Sequence, residues 1–138
     1  MDLKSIAHWV GRQDATPQHL VKLFDSTAVP EPHRYRLKPA DGRIATVYIG
    51  FEGDRESLRY VDLEFSSEFN LTPAELSTIF GRWRTLPAAP EGPAHKIRFQ
   101  YDEKELPFLV LVFADLSEDP QNVTSRVERL LFRREERI

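Results

Sequence analysis

The chain has 138 residues, enough for a domain with a sizeable hydrophobic core. Apolar residues make up 41% and charged residues 30%, a globular rather than a disordered composition. With no cysteine, disulfides, thiolate metal sites and cysteine nucleophiles are excluded; a net charge of −3 argues against nucleic acid as the main partner and allows a basic protein partner.

In chain order, residues Leu3 to Val10 place Leu3, Ile6 and Val10 on one helical face, with Asp2 as N-cap and Gly11 as the stop. Thr16-Pro17 starts a second helix and Thr72-Pro73 a third, each with a hydroxyl at N-cap and proline at the first helical position. Asp119-Pro120 starts a fourth by the same logic, with Val123, Val127, Leu130 and Leu131 as its core stripe. Between them lie alternating or apolar runs read as strands: 33–37, 43–51, 57–65, 96–101 and 107–114. Turns at 39–42, 52–54 and 102–105 connect them. The expected fold is α+β, in the order α-α-β-β-β-α-β-β-α, with a mostly antiparallel sheet of about five strands and helices packed on it.

Two segments resemble each other. Thr16 to Phe24 and Thr72 to Phe80 share Thr, Pro, Leu and Phe at matching places. Val29-Pro30-Glu31 is echoed by Ala89-Pro90-Glu91, and His33 to Leu37 by His95 to Phe99. The series predicts an internally duplicated helix–hairpin unit with halves at about 16–51 and 72–114, inside one domain spanning 1–138.

No catalytic, nucleotide or metal motif stands out. The four histidines lack an i,i+4 partner or a His-Glu-x-x-His signature, and the six glycines are scattered rather than forming a phosphate loop. No catalytic residue, metal ligand or cofactor is therefore assigned. His33 and His95 occupy matching places in the repeat, so either they face each other across a pseudo-twofold axis or, the reading favoured here, each sits half-exposed at a strand start beside a basic residue. Asp62 and Glu64 share one strand face and are expected to pair with Arg34, Arg36 or Arg98. Arg82-Trp83-Arg84 enters the proline-rich loop Pro87 to Pro93 and combines the residue types enriched at binding hot spots, or else folds Trp83 over the helix end. The charged run Arg133 to Arg137 reads as a solvated helix end.

The longest apolar run, Phe108 to Ala114, is far shorter than the roughly 20 residues a bilayer requires, and the N-terminus lacks a secretory pattern. A cytoplasmic location without membrane contact is expected. In size, mild acidity and lack of catalytic signatures the chain is similar to small cytosolic bacterial binding proteins, including immunity proteins that neutralise toxins. That analogy predicts a non-catalytic protein-binding domain, with Arg82, Trp83, Arg84, His33 and His95 as binding candidates. The alternatives are a small-molecule domain or enzyme with a cleft between the repeat halves, lined by His33, His95, Tyr48 and Tyr60, and a homodimeric module pairing open sheet edges.

Overall fold

Asp2 caps the first helix, α1 (Leu3–Gly11), its carboxylate accepting the Lys4 and Ser5 N–H groups at 3.0 and 3.2 Å. Gly11 ends the helix for a reason other than a left-handed stop. A Cβ there would lie 2.8 Å from Leu106 Cδ1 and 3.1 Å from Val110 Cγ2, so glycine lets the helix end close against the sheet. The computed structural model describes residues 2–53, 57–88, 90–92 and 94–137; Asp54 of the second turn and Ala89 and Pro93 of the proline-rich loop lie outside them.

The two Thr-Pro starts give α2 (Pro17–Leu23) and α3 (Pro73–Phe80). In α3 the Thr72 hydroxyl accepts the Glu75 N–H at 3.2 Å, and Glu75 accepts the Thr72 N–H at 3.3 Å. In α2 the reciprocal partner is a histidine: Thr16 N–H donates to His19 Nδ1 at 3.0 Å, and the His19 ring stacks on Trp9 at 4.6 Å. His19 thus closes a helix and packs against its neighbour.

The strands are β1 (Ala28–Pro30), β2 (Arg34–Leu37), β3 (Ile44–Phe51), β4 (Leu58–Phe65), β5 (Arg84–Leu86), β6 (His95–Tyr101), β7 (Phe108–Leu116) and β8 (Val127–Glu136). They form one sheet in the order β1-β2-β3-β4-β8-β7-β6-β5, antiparallel at every pairing. Two four-stranded meanders meet at β4 and β8, and a Thr-Pro helix precedes each.

This corrects the expected five-stranded sheet and its element order. The α+β character holds, with eight strands and three helices among the described residues. The helix–hairpin unit is not the building block: each expected hairpin is the middle of a longer meander, and the stretches outside the limits 16–51 and 72–114 supply the last strands, β4 and β8. The expected fourth helix is absent, because Val127 to Glu136 is a central strand. Its helix-like spacing has a specific origin. The register passes from Leu116–Val127 to Asp115–Arg129, leaving Glu128 as the extra residue of a β-bulge. The bulge lets Val127 and Leu130, three apart, both be buried, as helical residues at that spacing would be. Val123, placed in the expected helical stripe, is 94% exposed, whereas Phe132 is fully buried.

The short strands β1 and β5, at the two edges of the sheet, carry no alternating apolar signal because three residues are too few to show a period. All three helices pack on one face. Their residues Ile6, Val10, Leu20 and Leu76 form a single cluster with a buried cross-strand row, Val47–Leu63–Leu130–Ala114–Ile97. Arg134 ties β8 to this layer: Nε donates to the Val10 carbonyl at 3.1 Å and Nη2 to the Arg12 carbonyl at 2.9 Å, at the end of α1. The charged run is therefore not a solvated helix end. Arg137 likewise donates to the Leu106 and Glu103 carbonyls and pairs with Asp102.

Candidate docking face and its arginine edge

Because the helices share one side, the other face of the sheet is bare of secondary structure among the described residues. Strand alternation sends every second side chain there. One row crosses all eight strands: Val29, Arg36, Tyr48, Asp62, Leu131, Phe113, Arg98 and Arg84, each the register partner of the next. Tyr48, Leu131 and Phe113 are half-buried. Leu111, nearly buried, also lies outside the main core cluster, on this second side.

The aromatic residues here are held flat by glycine and arginine. A Cβ at Gly50 would fall 2.0 Å from the Tyr60 ring, so glycine in β3 makes room for the tyrosine of β4 to lie across it. The Arg34 guanidinium covers the Tyr48 ring at 3.9 Å, and Arg133 covers Phe113 at 5.0 Å.

The carboxylates of this face are already engaged. Asp62 accepts from Arg129 Nε at 2.8 Å and Nη2 at 2.7 Å, and Glu64 lies 3.3 Å from the same guanidinium. Hydrogen bonding to Asp62 raises the Arg129 pKa above its ordinary value. The expected partners Arg34, Arg36 and Arg98 do not take this role, since Arg129 belongs to a strand that the sequence presents as a helix. Asp115 pairs with Lys96 at 3.5 Å, and Glu31 with both Arg34 and Arg36.

The arginines of the β5–β6 edge differ. Arg84 and Arg98 stand directly opposite each other in the register, and Arg82 lies two residues before Arg84. Like charges directly opposed across strands destabilise a sheet. Among the described residues none of the three has an ion pair or a hydrogen-bond partner for its guanidinium, and Arg98 Nε is buried without a partner. They line, with Phe80, Trp83 and Gln100, an open hollow of about 400 Å³. Trp83 is half-buried, its ring edge-on to Phe99 at 6.2 Å. Gly81, at φ 88°, makes the turn that carries the chain from α3 into this edge.

The structure thus brings Arg82, Trp83 and Arg84 together and adds Arg98. Only register could have revealed Arg98, since its own strand reads as ordinary alternation. His33 and His95 are not brought together. His33 lies just before β2 and is exposed; His95 opens β6. Their strands are second from opposite edges, about 24 Å apart at normal strand spacing. The two halves join through β4 and β8 in a continuous sheet, the open hollow at their seam is lined by neither histidine and neither tyrosine, and Tyr48 and Tyr60 lie on the bare face. Among the described residues no group of three or more His, Asp or Glu is placed to hold a metal ion, and no helix is long and apolar enough to cross a membrane. No protein-family model, curated protein or solved structure matches the chain.

Proposed function

We propose that the chain is a non-catalytic protein-binding domain that docks its partner on the bare face of the sheet. The observation carrying this is one-sided layering: three helices cover one face of eight strands, and the other presents aromatic and aliphatic side chains interspersed with guanidinium groups. Aromatic residues and arginine are the types enriched in protein interfaces. Size supports it as well. At about 4.8 Å per strand and about 3.4 Å per residue, the face spans roughly 34 Å by 27 Å, comparable to the ~800 Å² each partner contributes to a standard interface.

The local charge bears on the kind of partner. Net charge alone suggested a basic one, but Asp62, Glu64 and Asp115 are neutralised within the face, so the unspent charge is cationic. An acidic complement fits better.

Affinity capture tests the proposal with three proteins: wild type, Phe113→Lys on the bare face and Lys22→Glu on the helical side. Wild type and Lys22→Glu are expected to retain the same stoichiometric protein, and Phe113→Lys to lose it while keeping the circular dichroism of the folded sheet, at a melting temperature lowered by its new like-charge contact with Arg98. Equal retention by Phe113→Lys, or no retained protein across the cytosols tested, overturns the proposal.

A further inference from the structure

We propose that the β5 edge is a strand-addition site for an acidic, extended peptide segment, its carboxylates bridging Arg84 and Arg98 and its backbone pairing with β5. The inference rests on the docking role above and specifies which part of the partner is recognised and where.

Four observations converge. First, Arg84 and Arg98 oppose each other without an ion pair, the neighbouring Asp115 being taken by Lys96, whereas Arg12, Arg34, Arg36, Arg43, Arg129, Arg133 and Arg137 each have an acidic partner. A bound carboxylate turns this like-charge contact into two charge-assisted hydrogen bonds. Second, Arg98 Nε is a buried donor without an acceptor, and such a group is costly to leave unmade. Third, β5 ends the sheet and keeps all three of its backbone N–H groups, whereas the opposite edge strand, β1, contains Pro30 and has lost one. Fourth, Trp83 and Phe80 border the hollow beside the arginines and give an apolar side chain of the incoming strand a place to rest.

Charge selects the occupant. A second copy paired through β5 would bring a second set of Arg82, Arg84 and Arg98 to the same edge with no carboxylate to offset them, so self-pairing is disfavoured there. A long polyanion crossing the face would meet Asp115, Glu64 and Asp62 within a few strand widths. A short acidic segment confined to the edge satisfies both constraints.

The test uses a fluorescently labelled peptide of alternating Glu and Val, an equivalent Lys–Val peptide, a Glu–Val peptide N-methylated at alternate amides, and single-stranded oligothymidine. The Glu–Val peptide is expected to bind, and Arg84→Glu or Arg98→Glu to weaken it at least about tenfold, roughly one charge-assisted contact. N-methylation is expected to remove binding because it removes strand pairing. Arg84→Glu should also raise the melting temperature by about 1–3 °C, since it replaces a cross-strand repulsion by an attraction. That gain separates loss of a site from loss of fold. No binding of the Glu–Val peptide at about 1 mM, the weak end of specific affinity, overturns the inference. So does equal binding of the Lys–Val peptide, the N-methylated peptide or oligothymidine. In any of these cases loss of a captured partner by Phe113→Lys would still support docking on the face, so the two failures are distinguishable.

Discussion

Phe132→Ala in β8 probes the most consequential difference between pattern and fold. Phe132 is fully buried at the centre of the sheet, with its ring 6.2 Å from that of Phe80 and its register partners Val61 and Val112 also fully buried. Truncating such a phenylalanine costs about 3–5 kcal/mol, combining lost transfer free energy with an unfilled cavity. For 138 residues at about 2.1 cal/mol/K each, unfolding entropy near the midpoint is about 0.29 kcal/mol/K. The expected fall in melting temperature is therefore about 10–17 °C. Val123→Asp is the matched control: at 94% exposure it should change stability by less than about 0.5 kcal/mol. A helix over this segment requires the reverse, with Val123 in the core stripe and Phe132 off it. Urea titration followed by circular dichroism gives both values. A loss below about 1 kcal/mol for Phe132→Ala, or a Val123→Asp loss as large as that expected of Phe132→Ala, would refute β8 as a buried central strand.

Arg134→Ala should cost about 2–3 kcal/mol in the same assay, because it removes charge-assisted hydrogen bonds to the Val10 and Arg12 carbonyls and stacking on Phe108. Hydrogen exchange should then show early opening at the end of α1. The Asp41 carboxyl, held by Arg43, has its pKa lowered from 3.8 to about 2. A depressed acid contributes stability that is present above its unfolded value and is lost as pH falls from near 3.8 through about 2. A carboxyl-detected NMR titration should place Asp41 near 2 in the wild type and return it toward 3.8 in Arg43→Ala. Gly50→Ala should displace the Tyr60 ring, whose atoms lie 2.0–2.4 Å from the added Cβ, and weaken partner binding more than it lowers stability.

What was legible in the sequence were features set by local chemistry. Asp2, Thr16-Pro17 and Thr72-Pro73 cap and start helices through hydrogen bonds to their own neighbours, so three residues suffice to see them. Five strands, β2, β3, β4, β6 and β7, showed themselves by alternation or by continuous apolar content, whereas the longest, β8, did not. What stayed hidden was decided at a distance. Glu128 is a bulge only because Asp115 and Leu116 fix the register from the neighbouring strand, and without that knowledge Val127 and Leu130 carry a helical period. The edge strands β1 and β5 are too short for a period to exist, and Pro30 argues against the first. At the site, Arg82, Trp83 and Arg84 were visible by residue type, but Arg98 was not, because its meaning lies in standing opposite Arg84. The equivalence of His33 and His95 was one of sequence position, and the continuous sheet sets them on opposite flanks.

Hydrogen–deuterium exchange on the captured complex tests the docking claim most directly. Partner binding on the bare face and its arginine edge should slow exchange in β5 (Arg84–Leu86), whose outer N–H groups are open in the free protein, while α1 and α2 keep their free-state rates. Protection confined to the helical layer, with β5 unchanged, would contradict it.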